Sequence, residues 1–196
     1  MAMFAFILVA LLSITLPSVT DETRDWLPSL FWVVLLLTSL LGLARSFQSE
    51  VDDGAIAALV QVPCDRGWVF VGKAGANTVA LVVVLLWTAL LFEIFLDLGW
   101  QRGWAKALGV GLLGSLGLAT IGTLLGAMAV AARFRDFLLP VLLFPLVLPI
   151  LVFASQATGV ALKGASIPVH WWSALILYDL IVALVGYFCF DAVLED

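Results

Sequence analysis

The sequence consists of long apolar runs separated by short polar segments, and the run from Ala74 to Leu96 shows the resulting constraint most clearly. It contains a single charged residue, Glu93. An α-helix rises 1.5 Å per residue, so about 20 apolar residues are enough to cross the roughly 30 Å hydrocarbon core of a bilayer. A run of this length and composition therefore predicts a membrane-spanning helix.

The composition of the whole chain indicates the same class of protein. Of its 196 residues, 64% are hydrophobic and 12% are charged, whereas about 25% of the residues of a soluble domain are charged. The net charge is −5 and the sequence has no basic patch, so we expect the lipid bilayer rather than nucleic acid as a partner. Cys64 and Cys189 lie far apart and form no C-x-x-C pair. Neither a disulfide nor a metal site is therefore predicted.

Six apolar runs can be recognised, and we predict an all-α, polytopic membrane protein with one transmembrane domain over residues 1–196. The first run is short for a span, and a signal peptide is the alternative interpretation. Residues 155–171 are predicted to form a loop. The predicted spans cover approximately residues 3–17, 27–46, 74–97, 106–132, 137–154 and 172–190.

Two of the predicted spans have a distinctive composition. Span four is rich in glycine and includes Gly122-x-x-x-Gly126. This spacing favours close packing of helices, and it makes span four our preferred candidate for a subunit contact. Span five contains Pro140, Pro145 and Pro149. Because each proline removes a backbone donor, this helix is expected to bend or break.

Two acidic residues are candidates for a functional role. Glu93 and Asp179 lie within apolar spans or near their ends, where an ionisable side chain is costly and marks a functional hypothesis by default. For both we consider a role in a subunit interface or as an intramembrane polar group. Glu93 is one helical turn from Asp97, so a position at the membrane surface is the alternative for this residue.

The distribution of basic residues gives a small indication of orientation. With six spans, both termini lie on one side of the membrane. The positive-inside rule favours cytoplasmic termini, because the side of the termini carries one more basic residue than the opposite side. The two sets are Arg45, Arg66, Lys73, Arg133 and Arg135 against Arg24, Arg102, Lys106 and Lys163.

A short acidic segment between predicted spans two and three differs from the rest of the chain. Its acids can cap a helix that begins directly after them, and three apolar residues spaced i, i+3 and i+4 would form one face of that helix. We predict an amphipathic helix over about residues 53–62, on the same side of the membrane as the termini. A solvated loop with one helical turn is the alternative. The residues concerned are Asp52, Asp53, Gly54, Ile56, Leu59 and Val60.

Three strings of the sequence resemble, in the same order, the haem exporter protein B (CcmB) family. They are LLGLARSFQSEVDDGAIAALVQVP at Leu40–Pro63, VGKAGAN at Val71–Asn77 and TIGTLLGAMAVAARFRDFLLPVLLFPLVLPILVFA at Thr120–Ala154. The resemblance covers most of the chain. The positions that match the family pattern are Phe47, Asp53, Gly54, Ile56, Leu59, Pro63, Lys73, Gly122, Gly126, Pro145, Pro149 and Phe153.

The resemblance implies an ABC-2-like permease, the membrane subunit of an ABC-type complex for cytochrome c maturation in the bacterial inner membrane. In this interpretation residues 54–62 are a coupling helix that docks on an ATPase. The chain has no G-x-x-x-x-G-K-[ST] motif, so ATP is expected in a separate, CcmA-like subunit. The resemblance also implies CcmC-like and CcmE-like partners that handle haem. We expect no catalytic residue and no cofactor bound directly by this chain.

Two questions stay open at this point. His170 is either a haem ligand or an interfacial histidine beside Trp171 in an aromatic belt, and we favour the second interpretation. The alternative function for the chain is a stand-alone secondary carrier or a membrane assembly scaffold, with Glu93 or Asp179 at its centre. A carrier built from inverted repeats would have broken helices in both halves. Since only span five contains several prolines, the permease subunit is the favoured hypothesis.

Overall fold

The computed structural model describes residues 1–16, 24–52, 66–99, 103–131 and 135–194. Within these ranges every regular element is an α-helix, which confirms the predicted all-α class. The helices are α1 (Ala2–Thr15), α2 (Leu27–Asp52), α3 (Arg66–Leu96), α4 (Trp104–Ala131), α5 (Arg135–Leu162) and α6 (Val169–Leu194).

Four of these helices are long and apolar enough to cross a membrane. The four stretches are Gly67–Leu96, Trp104–Gly126, Phe144–Leu162 and Val169–Cys189. Two further stretches, Ala2–Thr15 and Leu27–Leu43, are apolar but shorter than a typical span. All six predicted apolar runs thus contain helix, and four of them meet the length criterion within the described residues.

The fifth helix was expected to bend or break at its prolines and to be followed by a loop; the break does not occur, and the helix is longer than predicted. α5 continues without interruption through Pro140, Pro145 and Pro149, so the helix does not break at the prolines. It also continues to Leu162, and the part of the predicted loop that begins at Ser155 is therefore helical. Residues in this extension, such as Ala157, are fully buried. Packing against neighbouring helices stabilises helical residues to an extent that composition alone does not reveal.

The fourth helix lies at the centre of the bundle. Of its membrane-crossing stretch, 72% is buried inside the chain, against 39%, 33% and 22% for the corresponding stretches of α3, α5 and α6. α4 contacts α2, α3, α5 and α6. The arrangement of α2, α3, α5 and α6 therefore depends on the surface that α4 presents to them.

The surface of α4 contains notches at its glycines. A Cβ atom added to Gly114 would lie 2.2 Å from Cη2 of Trp32 in α2. A Cβ atom at Gly111 would lie 2.7 Å from a methyl carbon of Leu85 in α3. These separations are far shorter than a van der Waals contact. Small residues thus let neighbouring side chains approach the α4 backbone, as is common between membrane helices.

Buried side-chain hydrogen bonds join helices within the described part of the chain. The Trp32 indole N–H of α2 donates to the Thr158 hydroxyl of α5 at 3.0 Å. The Asn77 side-chain amide of α3 donates to the Thr123 hydroxyl of α4 at 2.9 Å. Because no water is available inside a bilayer, a polar group left without a partner is costly there. The two pairs therefore contribute to the specific arrangement of α2 to α5.

The Gly114 notch can be tested by filling it with one methyl group. We expect Gly114→Ala to lower the free energy of unfolding by about 1–3 kcal/mol, because the added carbon overlaps the buried Trp32 ring. Gly75→Ala is the matched control, since no atom lies within 4 Å of a Cβ at that helical position; it should be neutral or stabilise by up to about 1 kcal/mol. Reversible unfolding in micelles or bicelles measures both changes. Equal effects of the two substitutions would contradict the notch.

The Trp32–Thr158 hydrogen bond predicts a second stability effect. Thr158→Val keeps the side-chain volume but leaves the buried indole N–H without an acceptor, and we expect a loss of about 1–2 kcal/mol. The control is Ser155→Ala on the same helix, because the exposed Ser155 hydroxyl bonds only to the Val152 carbonyl one turn earlier. The same unfolding measurement applies. A Thr158→Val protein as stable as the control would show that this bond is not stabilising.

Candidate functional site

A polar cleft lies where α2 begins and where α3 and α5 end. Its volume is about 690 Å³, which is within the usual range of small-molecule sites. α2 starts at the cleft, so the connection between α2 and α3, residues 53–65, joins helix ends at the opposite end of the bundle. The polar residues that line the cleft are Arg24, Asp25, Ser29, Glu93, Asp97, Ser155, Gln156 and Lys163.

Two ion pairs cross the mouth of the cleft. The Arg24 guanidinium lies 2.8 Å from the Asp97 carboxylate, beyond the end of α3. The Lys163 ammonium, beyond the end of α5, lies 2.8 Å from the Asp25 carboxylate. Arg24 and Asp25, which lie just before α2, therefore contact the ends of α3 and α5 respectively. All four side chains are 45–76% exposed, and each pair stabilises by at most about 1 kcal/mol. The two pairs therefore bring the helix ends together but contribute little to the stability of that arrangement.

Glu93 also lines this cleft. Its side-chain carboxylate accepts a hydrogen bond from the Gly99 backbone N–H at 3.1 Å. The chain turns directly after α3, with a positive φ at Asp97 (47°) and at Gly99 (79°). Glycine adopts this left-handed conformation without a steric cost. The acid that stood out in the apolar run is thus placed at the polar end of its helix.

Asp179 occupies a different environment, halfway along α6. Its side chain is 3% exposed, and neither carboxyl oxygen has a hydrogen-bond partner among the described residues. The carboxyl lies against α4, where a Cβ atom on Gly117 would be 2.3 Å from Oδ1. The structure therefore brings Asp179 together with a glycine of its own chain and places it far from Glu93.

The remaining predicted site residues are only partly described. Gly122 receives a methyl carbon of Leu43, which would lie 2.3 Å from an added Cβ, so this position packs within the chain; Gly126 is buried too. Asp52 is the last residue of α2. The other residues of the predicted coupling helix lie outside the described ranges, and their roles stay predictions: Asp53, Gly54, Ile56, Leu59 and Val60.

The single histidine lies beside an aromatic pair. The His170 ring is exposed in the first turn of α6, 4.8 Å from the Trp171 ring, which is 5.8 Å from that of Phe153. Aromatic residues of this kind are typical of the membrane–water interface. Among the described residues, no group of three or more His, Cys, Asp or Glu side chains is placed to hold a metal ion.

The sequence pattern does not reveal the polar cleft. Its charged residues come from three segments that are distant along the chain, and Arg24 and Asp97 are 73 positions apart. The available signal was the presence of both charge signs in segments predicted to lie on one side of the membrane. That signal does not say which charges meet.

Comparison with known proteins identifies the family. The family model described as CcmB protein matches residues 1–195. A protein named heme exporter protein B from Pseudomonas aeruginosa is 28% identical over 174 residues, which cover 88% of this chain and 78% of that protein. Proteins of the same name from Rhodobacter capsulatus and Paracoccus denitrificans are 30% and 32% identical, over 71% and 70% of this chain and 64% and 63% of their own lengths.

The family-model match covers the glycine-rich central helix, the proline-containing helix and the strings in which the resemblance was first seen. Because the family model matches almost the whole chain, the protein belongs to the CcmB family.

Proposed function

We propose that this chain is the membrane subunit of an ABC-type complex that exports haem, or releases a haem-loaded chaperone, during cytochrome c maturation. The observation that carries the proposal is the family match over residues 1–195, together with relatives named heme exporter protein B. The chain spans 63–78% of the length of the relatives compared. An all-helical bundle with four long apolar helices is compatible with a permease.

The proposed topology has six transmembrane helices in the bacterial inner membrane, as in an ABC-2-like permease. α1 and α2 contribute the two shorter apolar stretches, and the other four helices contribute the long ones. With cytoplasmic termini, the polar cleft faces away from the cytoplasm, and residues 53–65 face the cytoplasm. The small excess of basic residues on the side of the termini supports this orientation.

The proposed mechanism relies on transmission through rigid helices. A coupling helix at residues 54–62 would dock on a CcmA-like ATPase subunit, since the chain has no phosphate-binding loop of its own. α2 and α3 flank this segment as continuous helices. Closure of the ATPase would push on both helices, and rigid-body movement is a common form of such a transition.

The movement would be transmitted to the N-terminal end of α2, which lies at the polar cleft. Arg24 and Asp25, directly in front of α2, pair with residues at the ends of α3 and α5. Lower in the same helix, Trp32 occupies the Gly114 notch and bonds to Thr158. Displacement of α2 would therefore reach the cleft and α5 together. In this proposal the haem itself is handled with CcmC-like and CcmE-like partners, and this chain transmits the work without catalysing a reaction.

One observation favours the alternative function. Asp179 is a buried acid without a partner in the middle of the bundle, a feature that recurs in proton-coupled carriers. A stand-alone secondary carrier or an assembly scaffold would be isolated without an ATPase. Purification of the tagged chain from its native membrane distinguishes the two, because the permease subunit should bring an ATPase with it.

The docking surface gives a specific prediction. The double substitution Ile56→Asp and Leu59→Asp should reduce recovery of the ATPase in a pull-down at least tenfold. Two apolar side chains lost from an interface would cost more than the 1.4 kcal/mol that corresponds to a factor of about ten.

The matched control for the docking experiment is Ala58→Asp. In a helix this residue points away from the face formed by residues 56, 59 and 60, so the same charge at that position should leave recovery of the ATPase unchanged. Undiminished recovery with the double variant would refute docking through this face. An equal loss of ATPase recovery with the double variant and with Ala58→Asp would show that the segment tolerates no added charge. That result would also refute docking through a specific face.

A further inference from the structure

We propose that Asp179 is a proton-binding site in the middle of the helix bundle, and that its proton exchanges only when α4 and α6 separate. The proposal rests on where the carboxyl lies, what surrounds it and which hydrogen-bonding groups are available to it. It is independent of the proposed function, because it requires neither an ATPase nor a transported molecule.

The depth of Asp179 removes it from water. α6 begins at Val169, so Asp179 lies about 15 Å along the helix, close to half the thickness of a roughly 30 Å hydrocarbon core. Its side chain is 3% exposed in the chain alone. A carboxyl at this position cannot reach either membrane surface, because an aspartate side chain is too short to do so.

The packing around the carboxyl is close on the α4 side. α4 and α6 run parallel, since Gly109 faces Trp172 and Gly117 faces Asp179. A Cβ atom at Gly117 would lie 2.3 Å from Oδ1 of Asp179 and 2.5 Å from Cδ1 of Ile150 in α5. The carboxyl therefore fills a notch between three helices, and the glycine provides the space for it.

No donor among the described residues reaches the carboxyl oxygens of Asp179. The backbone N–H groups inside α4, α5 and α6 are used within the helices. Nearby hydroxyl donors are also used, because Tyr178 donates to the Leu146 carbonyl at 2.6 Å and Thr120 donates to the Leu116 carbonyl. The buried Ser115 hydroxyl has no partner among the described residues. Ser115 is two residues from Gly117, however, so its side chain points about 200° around α4, away from the notch. An ionised carboxylate is only an acceptor and would remain unpaired there.

The neutral acid fits this environment better than the carboxylate does. It has one O–H donor, and each helical carbonyl keeps a second lone pair that can accept it. Burial without a partner disfavours the charged form of a carboxyl. The surroundings that disfavour an ionised Asp179 are therefore compatible with its protonated form. The ligand bound at this site is a single proton.

None of the titratable side chains on the described parts of the neighbouring helices forms a hydrogen bond with Asp179. Apart from the neighbouring Tyr178, those of α4, α5 and α6 are two or more turns away from its level in the bundle. On α3, Phe70 packs on Gly186, so Lys73 is the cation of α3 nearest to Asp179 along the helices. The Lys73 and Asp179 side chains form no hydrogen bond with each other. The full set is Lys106, Arg135, Asp136, His170, Tyr187, Cys189 and Asp191 on α4 to α6, and Arg66, Lys73 and Glu93 on α3.

Infrared spectroscopy of the full chain in lipid at neutral pH tests the proton site directly. With aspartate ¹³C-labelled at the side-chain carboxyl, the wild-type protein should show the C=O stretch of a protonated acid, shifted by the isotope. Asp179→Asn should remove that band, and Glu93→Gln, which changes the acid at the polar cleft, should leave it. Absence of an isotope-sensitive acid band from the wild type, or its survival in Asp179→Asn, would overturn the proposal.

The second half of the proposal is tested by exchange into D₂O. The band of the wild-type protein should shift slowly, because exchange requires α4 and α6 to separate, and Gly117→Ala should accelerate the shift at least tenfold by pushing the carboxyl out of its notch. Gly75→Ala is the control and should exchange like the wild type. Immediate exchange in the wild type would refute the closed interface. Should Asp179→Asn fail to fold, the labelled wild type and Gly117→Ala still decide the question.

Discussion

The absence of water from the interior of a bilayer governs how this chain is built. Helices there cannot associate by burying apolar surface away from water, so they depend on close packing and on paired polar groups. α4 meets this requirement with glycines, whose missing side chains admit the Trp32 ring and a Leu85 methyl group. The positions of α2, α3, α5 and α6 follow from the shape of that one helix.

Polar groups follow the same constraint in two ways. Within the bundle several are paired, as in the bonds from Trp32 to Thr158 and from Asn77 to Thr123, although the buried Ser115 hydroxyl has no partner among the described residues. Toward one end they collect in a cleft, where charged side chains are exposed and their pairs contribute little to stability. Asp179 fits neither pattern. If the carboxyl carries a proton, it is uncharged, and its position in a dry notch without a hydrogen-bonding partner is then far less costly.

The proposed coupling mechanism depends on the same central helix, because α2 packs against it. α2 runs from the cleft to the connection at residues 53–65 and is fixed to α4 and α5 partway along. A push delivered to that connection would therefore act on the cleft through a helix that is already anchored. The Asp179 notch at Gly117 lies one helical turn along α4 from the Gly114 notch, and it faces α6 rather than α2.

Sequence alone determined that the chain forms apolar helices, approximately where they lie, and that it resembles the CcmB family, because length, composition and local motifs carry this information. It did not determine that α5 continues to Leu162, which depends on residues such as Ala157 being buried. Nor did it show that Arg24 meets Asp97, or that Gly117 makes room for Asp179. These helices are apolar on nearly every side, so the sequence pattern does not mark the face that turns inward. Only the tertiary structure decides which residues from distant helices share a contact.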